Sequence, residues 1–413
     1  MARRALPILL LLPLLLPAQR PNTNYDESRV KPYKLPDLLG SARTAADWTG
    51  KRRPEVMTLL AEHVYGRIPA GRIAMKPTVT ASGETPDGMG TWKHVRVEFG
   101  TGGSIPAMNV LLVMPKGVRG RAPAFVTLSF TPLHTLLPDK TIPLTTRWVR
   151  GNQPPNEAER GTATGRWPWP LILGNGFGMA VAYYGDLFED RDDGLANSII
   201  PGVERELGIA SRTDASWNAL SAWGWGMSRL LDLLEKEPGV DARHTALVGH
   251  SRLGKAALWA GASDERFGIV ISNDSGEGGA SLARRIYGEH VADLNKAFPH
   301  WFTANYRRYS SDPNELPVDQ HELLAAMAPR PVYVASAEDD KWADPRGEFL
   351  SLEAASPAYE LFGIPSLRGA QWPGVNQPVI RGRQGYHMRT GKHDINAYDW
   401  QQYIAFARRM WGE

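Results

Sequence analysis

Ser251 stands between Gly249-His250 and Arg252-Leu253-Gly254-Lys255, directly after the apolar run 245–248 and directly before the helix-like run 256–260. A serine on a sharp turn from a buried strand into a helix has its hydroxyl lifted clear of the backbone. The first N–H groups of the helix then point to where an oxyanion would form. This resembles the nucleophile elbow G-x-S-x-G, except that the second glycine falls one position late, at Gly254, with Leu253 where a small residue is usual. The chemistry on offer is nucleophilic acyl transfer, which needs a base within hydrogen-bond reach and an acid to orient that base.

On this kind of turn the acid follows a late strand and the base follows the acid. The strand-like run 332–336 leads into Glu338-Asp339-Asp340-Lys341-Trp342-Ala343-Asp344-Pro345. Asp340 is the favoured acid, while Asp339 and Asp344 read as helix-capping or solvated carboxylates. Of the ten histidines, His387 and His393 come after that loop. His393 lies in a glycine-containing loop just before the closing helix and is the expected base. His387 is the alternative, with a structural hydrogen-bonding role as its other reading. His250 is expected to pack away from the nucleophile and His244 to lie on the surface. His63, His94 and His134 precede the elbow and fit the base poorly. No H-E-x-x-H, close-set histidine and carboxylate cluster, phosphate loop or dinucleotide fingerprint occurs, so neither a metal nor a cofactor is expected. Gly276-Glu277-Gly278-Gly279 reads as a turn.

These residues need a scaffold. A helix is expected over 49–65, antiparallel strands over 76–115, buried strands at 124–130 and 179–183, and a long amphipathic helix over 216–235. Strands at 245–248, 269–272 and 331–336 then alternate with helices, and 395–411 closes the chain as a helix. That alternation predicts an α/β three-layer sandwich with a mainly parallel central sheet. With 413 residues, 42% hydrophobic and 22% charged, the chain is ordinary for a globular α/β protein. Forty-seven basic against 44 acidic residues leave a net charge of +3, which argues against a nucleic-acid footprint. Fourteen tryptophans are compatible with a carbohydrate-facing surface, although tryptophan is more often core. Residues 1–18, a charged head followed by a leucine-rich run too short to span a bilayer comfortably, read as a signal peptide for export to the periplasm or beyond. Residues 19–47, polar and proline-rich, read as a linker or surface arm, and 48–413 as a single esterase domain. Zero cysteines exclude disulfides.

The elbow Gly249-His250-Ser251-Arg252-Leu253-Gly254-Lys255 resembles the signature of bacterial glucuronoyl esterases, where the late glycine is normal. Asn273-Asp274-Ser275-Gly276, Arg284-Arg285, the Phe298-Pro299-His300-Trp301-Phe302 run, the Asp340 loop and Gly391-Lys392-His393-Asp394 resemble that family too, over a span from about residue 30 to the C-terminus. The resemblance implies an α/β-hydrolase fold and metal-free cleavage, by a monomer, of the ester between (4-O-methyl-)glucuronate on xylan and a lignin alcohol. An acetyl xylan or other carbohydrate esterase, or an inactive glycan-binding hydrolase fold, are the alternatives. It also implies roles: Ser251 as nucleophile, His393 as base, Arg252 as oxyanion donor, and Lys255, Glu289 and Trp342 on the sugar. The family's acid stands either at Asp274, usually as the longer glutamate, or at Asp340. The shorter side chain at Asp274 favours Asp340. Thr131-Pro132-Leu133-His134 replaces the family's glycine-asparagine loop, which leaves the pocket rim and the preferred alcohol open.

Overall fold

The computed structural model describes residues 23–412, so the signal-peptide reading of residues 1–18 lies outside the described residues. Short alternating runs make three antiparallel strands, β1 (Met75–Glu84), β2 (Gly90–Phe99) and β3 (Ile105–Pro115). On β2 the outward residues Thr91, Arg96 and Glu98 are exposed while Trp92, Val97 and Phe99 are buried, as one-sided packing of an antiparallel ribbon requires. The remaining strands are β4 (Ala122–Ser129), β5 (Gly178–Tyr183), β6 (Val240–His250), β7 (Ile269–Asn273), β8 (Val332–Ala337), β9 (Val379–Arg381) and β10 (Gln384–Arg389). They join one sheet in the order β1-β2-β3-β5-β4-β6-β7-β8-β10-β9. The pairings from β5 through β4, β6, β7 and β8 to β10 are all parallel, and β9 closes the edge antiparallel to β10. Every residue of β4, β5, β7, β8 and β10 is buried, the signature of parallel strands covered on both faces.

The expected helices form with shifted ends. The segment 45–65 is helical throughout, in successive α and π turns rather than one regular helix. The long helix is α1 (Ala219–Leu234), and α2 (Arg252–Ser263) follows the elbow and packs against α1. Helices α3 (Pro345–Ala354) and α4 (Ala397–Trp411) follow the acid loop and the His393 loop. β6 runs longer than 245–248 because its first half still pairs with β4 at Val240. Ten of the fourteen tryptophans are buried, so this residue type builds core far more than surface.

Residues 23–44 form an arm across the surface. It is held by the Gly288 N–H on Asn24 O (2.9 Å), the Tyr287 hydroxyl on Tyr25 O (3.1 Å) and Arg52 Nε on Leu38 O (2.8 Å). Glu27 accepts from Arg285 and Arg346, which ties the arm to the start of α3. No helix among the described residues is long and apolar enough to cross a membrane.

Candidate active site

The elbow forms because β6 is buried to its last residue and α2 starts one residue later. Ser251 adopts φ 57°, ψ −129°, a left-handed backbone that costs a non-glycine residue about 1–3 kcal/mol. Its N–H is secured to Asn273 O on β7 at 2.8 Å. The two glycines answer to close approach. A Cβ on Gly249 would meet Leu253 O at 2.0 Å, and one on Gly254 would meet Gly249 O and Ser275 Cβ, each at 3.0 Å. The late glycine therefore sits where the first turn of α2 presses against the end of β6. The Arg252 N–H, first of α2, has no intrahelical acceptor and remains to serve an oxyanion.

His393 joins the elbow to the acid loop. Its Nε2 lies 2.8 Å from Ser251 Oγ and its Nδ1 lies 2.6 Å from Asp340 Oδ2. Serine, imidazole and carboxylate thus form a continuous relay, with Asp340 buried beneath a partly exposed histidine. The sequence places His393 on a loop. In the structure that loop is pinned by buried Arg389, which donates to the carbonyls of Thr390 (3.1 Å), Lys392 (3.1 Å) and Asp394, and to Asp399 Oδ2 (2.8 Å). Arg166 pairs with Asp394 at 2.6 Å from the other side. A cavity of about 400 Å³ lies along this flank, lined by Phe130, Thr131, Arg166, Trp167, His250 and Asp394.

The two alternatives fare differently. His387 is on β10, fully buried, bonded to the Tyr333 hydroxyl at 3.0 Å and to Asp399 at 2.9 Å. Both of its ring nitrogens are thus engaged inside the core, and the contacts to Ser251 and Asp340 belong to His393 instead. Asp274 takes the left-handed φ of 45° just past β7 and is near the relay without joining it. Ligand-type atoms of Asp274, Asp340 and His393 all lie within 4.8 Å of one another. Yet, among the described residues, the only hydrogen bond to the Asp274 carboxylate is a long one from Arg389 at 3.4 Å, and its Oδ1 is buried without a partner. Burial, then the charges of Asp340 and Glu348, push its carboxyl well above the usual range despite Arg389. His250 packs as expected, with its Nδ1 2.6 Å from Asn273 Oδ1, but its ring lies 4.6 Å from that of His393. Burial, then the neighbouring His393, holds it well below the usual imidazole range, so it is a neutral wall beside the base. His244 is half-exposed, paired with Asp241 at 3.0 Å.

Both cations at the start of α2 oppose the helix dipole, and both are compensated. Lys255 is buried, with Nζ on the carbonyls of Ser275 and Glu277 (2.6 Å each) and 3.5 Å from Glu289 Oε2. Two of its three donors are thus engaged, and only the loose Glu289 contact is open to a substrate hydroxyl. Glu289 is fixed in turn by its N–H on Trp342 O at 2.9 Å, which brings Lys255, Glu289 and Trp342 together. Arg252 pairs with Asp190, at the end of the segment after β5, and Asp190 also accepts from His300 Nε2 (2.9 Å) and Trp301 Nε1 (2.8 Å). Sequence reasoning missed Asp190 and Arg389. The main partners of Asp190 are distant in the chain, and nothing in the local pattern marks either residue. The turn 276–279 carries Gly276 and Gly278 at positive φ, and its Gly276 N–H donates to Glu348 at 2.9 Å.

A mainly parallel sheet, a strained serine at the end of its central strand, and an imidazole between that serine and a late carboxylate define a serine hydrolase of the α/β-hydrolase fold. The comparisons with known proteins narrow the class. Residues 211–363 match the family model described as glucuronyl esterase, fungi. The chain is 40% identical over 402 residues to carbohydrate esterase MZ0003 from an unknown prokaryotic organism, covering 94% of this chain and 92% of that protein. The structure of a glucuronoyl esterase from Solibacter usitatus is similar at 43% identity and a TM-score of 0.88, over 93% of this chain and 100% of that one. The 4-O-methyl-glucuronoyl methylesterase 1 of Wolfiporia cocos (strain MD-104) is 36% identical over 222 residues, 49% of this chain and 52% of that protein. The chain belongs to the glucuronoyl esterase family and is a carboxylic-ester hydrolase.

Proposed function

We propose that this enzyme cleaves esters of glucuronic acid or its 4-O-methyl ether, carried on xylan, with a lignin alcohol as leaving group. The observation that supports the reading most directly is the imidazole of His393 within hydrogen-bond reach of both Ser251 and Asp340. In the proposed reaction Ser251 Oγ attacks the acyl carbon of the uronate as His393 Nε2 takes its proton. The oxygen that gains negative charge faces the Arg252 N–H and guanidinium. His393 then returns the proton to the departing alcohol oxygen, which leaves an ester on Ser251. Water, deprotonated by the same imidazole, attacks that ester; the bond from the acyl carbon to Ser251 Oγ breaks, His393 returns the proton to Oγ, and the uronic acid is freed. Asp340 holds the imidazole in the useful tautomer and offsets its charge. Lys255, Glu289 and Trp342 are proposed to grip the sugar, with a ring hydroxyl inserting into the 3.5 Å gap between the ammonium and Glu289.

The test compares turnover of a benzyl or methyl ester of glucuronic acid with that of acetylated xylan. Dominant release of the uronic acid, abolished in Ser251→Ala, is expected. Preferred release of acetate would sink the substrate assignment, and ester turnover surviving in Ser251→Ala would sink the mechanism. We also propose that the protein is exported, on the strength of the charged head and leucine-rich run of residues 1–18. Recovery of a mature chain lacking about the first eighteen residues outside the cytoplasm is the expected result.

A further inference from the structure

We propose that Asp190 is a positioning residue for ester hydrolysis, fixing the Arg252 guanidinium in the orientation from which it meets the oxyanion. The inference rests on the oxyanion role proposed for Arg252. The guanidinium lies among three aromatic faces, with Cζ 4.6 Å from the Trp301 ring, 5.1 Å from Phe298 and 5.8 Å from Phe130. Such faces hold a cation in place but do not fix its rotation in the plane, because attraction to a π cloud has no preferred donor. The rotation is set by Asp190, the acceptor that takes Nη1, while Nε is buried with no acceptor at all.

Asp190 is itself rigid. Its Oδ1 accepts from Trp301 Nε1 at 2.8 Å and His300 Nε2 at 2.9 Å, and its Oδ2 is approached by the Tyr184 hydroxyl at 3.4 Å. His300 is anchored on its other nitrogen by Asp192 at 3.1 Å. One indole thus does two jobs, covering the guanidinium with its face and steering the carboxylate with its N–H. Burial alone would raise the Asp190 carboxyl. The His300 bond and the Arg252 charge outweigh it and hold the group at about 2, so the carboxylate is ionised at neutral pH. The carboxylate must also weaken the positive field that an oxyanion feels. If field strength were all that mattered, removing its charge would speed the reaction. Positioning demands the reverse.

The test is a double-mutant cycle on kcat and KM for a glucuronate ester, with Asp190→Asn, Arg252→Gln and the pair, and with melting temperatures to score folding. Arg252→Gln is expected to lose about 100-fold in kcat, the usual cost of one oxyanion donor. Asp190→Asn is expected to lose about 10- to 100-fold in kcat with KM changed by no more than about twofold, and the double variant to be no slower than Arg252→Gln. Should Asp190→Asn fold poorly, His300→Gln, which removes one support, is expected to lose about 3- to 10-fold in kcat at constant KM. Undiminished or higher kcat in Asp190→Asn, or losses that simply add in the double variant, would overturn the proposal. Undiminished kcat in Arg252→Gln would instead overturn the oxyanion role of the guanidinium.

Discussion

Replacing Asp340 with asparagine asks which carboxylate serves His393. The side chain keeps its size, so the charge is what changes. His393 Nδ1 is 2.6 Å from Asp340 Oδ2. Two unit charges centred about 4 Å apart attract by about 4 kcal/mol at an effective dielectric of about 20. The histidine side chain is 43% exposed, and solvent screening leaves about 2–3 kcal/mol of that for the imidazolium formed in the transition state. At about 1.36 kcal/mol per factor of ten, kcat falls about 30- to 150-fold from charge alone. An amide N–H₂ turned toward Nδ1 would also favour the wrong tautomer and deepen the loss toward about 10³-fold. Asp274 is near enough to compete for the imidazole. Its burial beside Asp340 and Glu348 keeps its carboxyl poorly disposed to ionise, so it makes a weak substitute. The assay is kcat at saturating glucuronate ester, with circular dichroism to score folding. Asp274→Asn is expected to cost less than about tenfold. A larger loss in Asp274→Asn than in Asp340→Asn would refute the reasoning.

Two further changes probe the scaffold. Gly249→Ala places a methyl 2.0 Å from Leu253 O and 2.7 Å from Gly254 N, both backbone atoms that cannot swing aside. It should cost on the order of 3 kcal/mol and lower the melting midpoint by several degrees, and an unchanged midpoint would contradict the packing described for the elbow. Glu348 accepts from Ser336, Ser275 and Gly276, yet burial pushes its carboxyl up from 4.5 to about 8. The unfolded chain releases this proton near its ordinary value while the native chain keeps it, so this group makes stability fall between about pH 4.5 and about pH 8 and stay level above. Glu348→Gln should flatten that slope in urea unfolding at about pH 5 and about pH 8, whereas parallel slopes in the two proteins would refute it.

Most of the relay was legible in the sequence because each part of it is local. The elbow announces itself through one strand, two glycines and a helix within about a dozen residues, and Asp340 and His393 each follow a strand or precede a helix in the order that such relays use. The sequence ranks His393 ahead of His387 but does not show that His387 stands on a strand, since a six-residue strand embedded in a glycine-rich stretch leaves no clear period. β10 emerges from pairing with β8 and not from its own pattern. The run Glu189-Asp190-Arg191-Asp192-Asp193 shows the limit more sharply. As sequence it is a solvated acidic turn, and Asp192 and Asp193 do stand 73% and 76% exposed. Asp190, two positions before the first of them and just as ordinary by type, turns inward to 1% exposure on Arg252, 62 residues further along the chain.

That contrast follows from where the sheet puts its charges. A cation in the first turn of α2 is opposed by the helix dipole and needs a partner from outside the helix. The partners come from the segments that leave nearby strands at the same edge: Asp190 after β5, one strand beyond β4, for Arg252, and the carbonyls of Ser275 and Glu277 after the adjacent β7 for Lys255. The acid of the relay follows β8 and its base follows β10, again at that edge. Parallel strands carry their chain exits to one side, so groups scattered over more than 200 residues converge there without any local signal. The elbow can be read from its neighbours in sequence because it is built from a single crossing of that edge, whereas the partners of its two cations cannot.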